Sequence, residues 1–213
     1  MADLDFFFDP VCPWAWITSR WVREVESIRS YSVDWRFISL RFLNEEKMDY
    51  DSMPAGYKDV HFAGTECLRV AAHARAVEGN DAVARIYTAI GTSFHNRAER
   101  DAYLSDKQGH IRALLTAEGL PGEWAAQFGN EEHDSLIRSE TEVALARTGK
   151  DVGTPILTFR PGSDSEASFF GPVISSIPRG DDAVRLWDAI ETIATTSGMA
   201  ELKRSLRARP SFD

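Results

Sequence analysis

The stretch that most constrains the fold is residues 4–40. "LDFFFD" (4–9) is a short apolar run closed by Asp9-Pro10, which reads as a buried strand. "PWAWITSRWVREVESIR" (13–29) opens with proline at a first helical position and repeats apolar residues at 14, 17, 21, 25 and 28, the spacing of one helical face. "YSVDWRFISL" (31–40) alternates Val33, Trp35 and Phe37 before an apolar run, a second strand. Strand, helix and strand in this order form a βαβ unit, whose crossover requires the two strands to run parallel.

The character then changes. From about residue 54 to residue 147 the chain is rich in Ala, Glu and Arg, and helical spacing recurs in "GTECLRVAAHARAVEG", "DAVARIYTAIGTSFHNR", "KQGHIRALLTAEG", "GEWAAQFGN" and "EEHDSLIRSETEVALARTG". Glycines 79, 119, 129 and 149 fall where helix ends are expected. Strand character returns at "PILTF" (155–159) and "SFFG" (168–171), followed by a closing helix over 177–196 and a shorter amphipathic helix, "MAELKRSLRA". The predicted architecture is therefore α/β: a thioredoxin-like fold with an inserted α-helical domain. Residues 1–45 and 150–213 form the thioredoxin-like part and 46–149 the insertion.

Composition narrows the function. With 213 residues, 43% of them hydrophobic, the chain buries a core without staples. Two cysteines, Cys12 and Cys67, make no disulfide framework and match no zinc spacing, so no metal is expected. The first residues carry acids where a secretory leader has a basic segment, and no stretch has the length and apolarity of a membrane span. A cytoplasmic protein without a membrane partner is the expectation. A formal charge of −9 argues against nucleic acid, whose phosphates select clustered cations.

Chemistry concentrates at "FDPVCPWAW" (8–16). Cys12 precedes Pro13, so its sulfur stands at a helix N-terminus, where unpaired amides and the positive dipole end favour a thiolate. The expectation is an accessible thiol more acidic than free cysteine, flanked by the rigid surfaces of Trp14 and Trp16; the competing reading is a small buried hydrophobe. Asp9 acts in either of two directions, raising the thiol's pKa as a buried neighbouring charge or accepting its proton. Thr154-Pro155 opens a strand with an X-Pro bond able to adopt the cis form, unless it is an ordinary strand-initiating proline.

Together with "FFFDPVCPWAWITSRWV", the stretches "ISLRFLNE", "YTAIGTSFHN", "DVGTPILTF", "FFGPVISSIPRG" and "LWD" make the sequence resemble, over nearly its whole length, the mycothiol-dependent nitroreductase branch of the DsbA-like thioredoxin-fold proteins. These are related in turn to kappa-class glutathione transferases and 2-hydroxychromene-2-carboxylate isomerases. The resemblance implies an enzyme: a cytosolic homodimer drawing reducing equivalents from mycothiol, or another low-molecular-weight thiol, for a small electron-accepting substrate. It makes Cys12, Pro13 and Trp14 the reactive motif and Pro155 a cis-proline under a helical roof, and it sets a pocket-lining role for His95 beside the ordinary reading of a helix-end or surface histidine; the residues themselves add Trp16, Thr154, Asn44 and Tyr57 as candidate substrate contacts. Arg179 is a further polar candidate, though a turn-forming Asn44, a helical Tyr57 and an exposed Arg179 are each ordinary structural outcomes. The departure is Ala15, where the branch usually has a second cysteine. Either the protein is a monothiol member whose mixed disulfide is resolved by a second thiol molecule, or Ala15 is a substitution that traps the mixed disulfide. Cys67 lies inside a helical pattern and reads as a packed residue. Two other functions stay open: a non-redox thiol transferase or isomerase, and a redox-inactive binding protein of the same fold.

Overall fold

The computed structural model describes residues 2–54 and 56–213. A four-stranded sheet is built from β1 (Leu4–Phe8), β2 (Val33–Phe37), β3 (Ile156–Phe159) and β4 (Ala167–Phe170) in the order β2-β1-β3-β4. β1 and β2 run parallel, joined by α1 (Pro13–Ile28), whereas β3 is antiparallel to both β1 and β4. α8 (Gly180–Thr195) closes the chain's regular structure, giving the βαβ and ββα halves of a thioredoxin fold.

The alternation along β1 sets the two faces of the sheet. Leu4, Phe6 and Phe8 join the larger core with Trp35, Phe37, Leu157 and Phe159, and Phe7 joins a smaller cluster with Ile38, Ile156 and Ala144 of α7 (Asp134–Thr148). Asp5, on the α7 side, is answered by Arg147 at 2.7 Å, so a charge inside a buried strand is paired. On the larger face α1 packs against α8 through Trp21 and Trp187, whose rings lie 5.6 Å apart, and the Trp21 indole N–H donates to the Ala183 carbonyl at 2.9 Å.

Between the two halves come α3 (Tyr57–Glu78), α4 (Asn80–Gly91) and α6 (Lys107–Ala117), where helical spacing predicts them. α3 starts earlier than the spacing indicates, and α4 runs into a single π-helical turn, Thr92–Asn96, in which the Arg97 amide donates to the Thr92 carbonyl. Residues 122–129 form a tight 3₁₀ turn rather than an α-helix, beginning after Pro121. Two short helices carry no readable period: α2 (Leu40–Asn44), capped by Ser39, and α5 (Arg100–Ser105). The amphipathic helix expected over 199–208 does not form. No layer covers its apolar positions, since Leu202 and Leu206 are 75% and 86% exposed, and an isolated segment of this length does not hold a helix alone. No helix among the described residues is long and apolar enough to cross a membrane.

Candidate functional site

The site is assembled by the turn between β1 and α1. Asp9 accepts the Val11 amide at 3.0 Å through one carboxylate oxygen and the Leu40 amide at 2.8 Å through the other, tying this turn to the start of α2. Cys12 is the N-cap of α1 with Pro13 as the first helical residue, a position where proline's missing N–H is no loss. The Ala15 amide donates to Cys12 Sγ at 3.5 Å, and the thiol donates to the Thr154 carbonyl at 3.4 Å. The Thr154-Pro155 bond is cis, as is Gly171-Pro172.

Two glycines allow the inserted helices to press on this turn. A Cβ at Gly64 of α3 would overlap the Asp9 carboxylate, and one at Gly91 of α4 would overlap the Trp16 ring. Glycine inside a helix costs ~1 kcal/mol relative to alanine, and here the cost is offset by close approach of backbone to side chain.

Within the π turn, His95 is buried and its Nε2 lies 2.8 Å from the Pro10 carbonyl. Burial pulls its pKa down to about 4, so the ring is neutral near neutral pH. A carbonyl only accepts, so the proton sits on Nε2. The neighbouring Asn96 accepts the Trp16 indole N–H at 3.0 Å and donates to the Phe212 carbonyl at 2.7 Å.

Electrostatics at the sulfur differ from the sequence expectation. Cys12 is 6% exposed, and burial pushes its pKa up to about 12, against the pull of the Ala15 amide and with an added push from Asp9. The accessible, acidic thiol expected from the helix N-terminus is therefore corrected: desolvation outweighs the helix-end donors in this conformation. Asp9 itself is driven up to about 7 by burial, which its backbone hydrogen bonds only partly oppose.

A cleft of about 510 Å³ opens onto Cys12. Its walls come from Pro13 and Trp14 of α1, Leu40 and Asn44 of α2, Tyr57 and His61 of α3, Arg100 of α5, and Thr154 with Phe170. Residues from both halves of the chain thus meet at one thiol.

The sequence profile of a family described as Rv2466c-like, mycothiol-dependent nitroreductase Rv2466c, matches residues 11–204. The chain belongs to this family. Membership makes it a thiol-dependent oxidoreductase. An uncharacterised Mycobacterium tuberculosis protein, Rv2286c, is 29% identical over 96% of this chain and 82% of its own length. Among solved structures, a candidate protein disulfide isomerase from Nitrosomonas europaea aligns with a TM-score of 0.57 at 15% identity, covering 87% of this chain and 95% of that one. The cytosolic disulfide reductase DsbM from Pseudomonas aeruginosa aligns with a TM-score of 0.52 at 16% identity, covering 88% and 97%. Both likenesses are of fold, the DsbA-like thioredoxin arrangement.

In this Rv2466c-like protein the structure brings Cys12, Pro13, Trp14, Asn44, Tyr57 and Thr154 to one cleft. Pro155 follows Thr154 into the buried start of β3. Trp16 and His95 lie outside the lining: Trp16 is packed beneath α4, and His95 stacks on it with ring centroids 6.0 Å apart while holding the Pro10 carbonyl. Arg179 lies in a different cleft, bonded to Glu24 at 3.0 Å. Sequence reading missed His61 and Arg100. His61 Nδ1 is 2.8 Å from the Tyr50 hydroxyl, and its pKa is lowered by burial. Arg100 has its Nε buried without a hydrogen-bond partner among the described residues, and burial lowers its pKa too. Only its place in the short α5, which no periodicity marks, sets it across from Cys12.

Proposed function

We propose that the protein reduces small electron-accepting substrates at the expense of mycothiol, through a mixed disulfide on Cys12 that a second thiol molecule resolves. The observation that carries this reading is the Cys12 thiol at the N-cap of α1, beside the Thr154 carbonyl, at the base of a cleft with polar walls. For a disulfide acceptor R–S–S–R′, the Cys12 thiolate attacks one sulfur, forms Cys12–S–S–R and releases R′S⁻. A thiolate from solution then attacks the R sulfur, restores the Cys12 thiolate and leaves with R as a new disulfide. A second solution thiolate then attacks the thiol-side sulfur of that mixed disulfide and expels RS⁻, so that two thiols become one disulfide and their two electrons and two protons leave with the acceptor's two halves as RSH and R′SH. A nitro acceptor takes two electrons and two protons from two thiols that become one disulfide, and it leaves as a nitroso compound and water.

In this reading the Ala15 amide supports the thiolate whenever opening of the cleft relieves its desolvation. Arg100 receives an anionic group of the acceptor, because a partly buried guanidinium with an unpaired donor favours a carboxylate. Asn44 and Tyr57 hold hydroxyl groups of the thiol. Pro13, Pro155 and Thr154 fix the sulfur's surroundings, and Trp14 offers the acceptor a planar surface. A cytoplasmic homodimer belongs to the same reading.

Intact-mass measurement after incubation with oxidised mycothiol tests the proposal. One adduct per chain on Cys12, reversed by free thiol and coupled to acceptor reduction, is expected. A stable protein that takes no adduct, or one that turns over as Cys12→Ser, overturns it.

A further inference from the structure

We propose that a second cleft, on the flank of α1 and sharing no lining residue with the Cys12 cleft, binds a small organic anion with a planar apolar body. This inference is independent of the redox reading of Cys12. The cleft, of about 430 Å³, is floored by Trp16, Arg20, Arg23 and Ser27, which follow one another at helical spacing along α1. The π turn supplies a second wall, and the segment before α8 together with Phe212 supplies the third.

Charge is the first argument. The chain carries a formal charge of −9, yet this cleft gathers Arg20, Arg23 and Arg179 against a single carboxylate, Glu24. Glu24 is already committed, to Arg179 at 3.0 Å and to the Gly180 amide at 3.1 Å. Arg23 pairs outward with Glu26 at 2.7 Å. Arg20 forms no ion pair among the described residues.

The second argument is how Arg20 is held. Its guanidinium carbon lies 4.1 Å from the centroid of the Trp16 ring, Nε donates to Ser19 Oγ at 3.2 Å, and Nη1 donates to Thr88 Oγ1 at 3.1 Å. A guanidinium carries five N–H donors in a planar fork, and those of Nη2 have no hydrogen-bond partner among the described residues. Burial lowers the Arg20 pKa to about 10, and the two nearby arginines add to this effect. The group is still cationic at neutral pH. A fixed, charged fork with spare donors, in a cleft whose one carboxylate, Glu24, is already paired, matches a carboxylate or phosphate.

The apolar complement stands beside it. Ile177 and Phe212 line the same cleft, with Trp16 buried beneath Arg20, so a planar body attached to the anionic group would meet aromatic and aliphatic surface from these two side chains. Phe212 is held there by its own carbonyl, which accepts from Asn96, and by the Ser211 amide, which donates to the Ser175 carbonyl at 2.8 Å.

Isothermal titration of the intact protein with phenyl phosphate, benzoate, benzyl alcohol and inorganic phosphate tests the assignment. Phenyl phosphate and benzoate are expected to bind saturably at one site per chain, with benzyl alcohol and inorganic phosphate at least tenfold weaker. Arg20→Gln should weaken phenyl phosphate at least tenfold. Arg179→Gln, altering a half-exposed side chain, should weaken it severalfold with an unchanged melting temperature, and it decides the matter if Arg20→Gln does not fold. Alkylation of Cys12 should leave the affinity unchanged. Absence of saturable binding by either aromatic anion, equal affinity for inorganic phosphate, full affinity in Arg179→Gln and in folded Arg20→Gln, or loss of binding when Cys12 is alkylated would each overturn the proposal.

Discussion

Cys12 and Cys67 are both buried, and burial pushes both thiols to high pKa, Cys12 to about 12 and Cys67 further still. Their surroundings nevertheless differ in kind. Cys67 lies in the middle of α3, where neighbouring amides are spent on the helix and, after burial, the largest push on the thiol comes from Glu66, which disfavours a thiolate. Cys12 stands at a helix end with the Ala15 amide turned toward its sulfur and a cleft in front of it. Depth alone thus does not make a thiol inert. What separates the two is an approach path, and donors that gain value once water or a substrate enters.

The strongest way to break this contrast is to remove each sulfur in turn. Cys12→Ser should abolish the mixed disulfide with a small thiol, while Cys67→Ser should retain one adduct per chain by intact mass; the opposite pattern would reverse the assignment. Next in size is Ala15→Cys. With Ala15 in place, adduct decay should be proportional to added thiol. A cysteine one turn along α1 makes the attack intramolecular, so release at low thiol should quicken by ~100-fold or more and become independent of thiol concentration. Thiol-independent decay in the Ala15 protein would point to Cys67 as the resolving group.

A third measurement follows alkylation of Cys12 against pH. The raised thiol pKa means that the thiolate fraction climbs about tenfold per pH unit without a plateau below pH 9. Asp9, with its own pKa raised to about 7, is neutral below that value and charged above it. Its ionisation pushes the thiol pKa further up, so the slope should flatten near pH 7 and then recover. In Asp9→Asn the flattening should vanish; its survival would separate Asp9 from the thiol's titration. The smallest effect is expected from Arg100→Gln. It should lower kcat/KM severalfold for a carboxylate-bearing disulfide acceptor and leave an uncharged one such as oxidised 2-mercaptoethanol unaffected, whereas equal losses for both would remove the anion-holding role.

Much of this arrangement is legible in residues 4–40 and 155–196, because strands and helices that face one shared core write their period into the sequence. α2 and α5 are too short to show a period. The segment 199–208 has the opposite fault: an amphipathic spacing with no layer to receive its apolar side. At the site, the Cys-Pro-Trp motif and Thr154-Pro155 are readable because local backbone chemistry selects those residue types. The burial of Cys12, its proton and the approach of Arg100 are not, since they depend on helices far along the chain. Gly64 and Gly91 were the available signals: glycines inside helical patterns mark places where something else comes close, without saying what.

The π turn at Thr92–Asn96 has a consequence for chain length. A π turn holds one residue more than the α-helical register requires, and each residue of an α-helix turns the chain by about 100°. Deleting a single residue between Gly91 and Arg97 would swing His95 away from the Pro10 carbonyl and Asn96 away from the Trp16 indole, although every side chain named in the site would still be encoded. At this point the protein is specified by a count as much as by an alphabet, and related chains should vary in the letters here before they vary in the number.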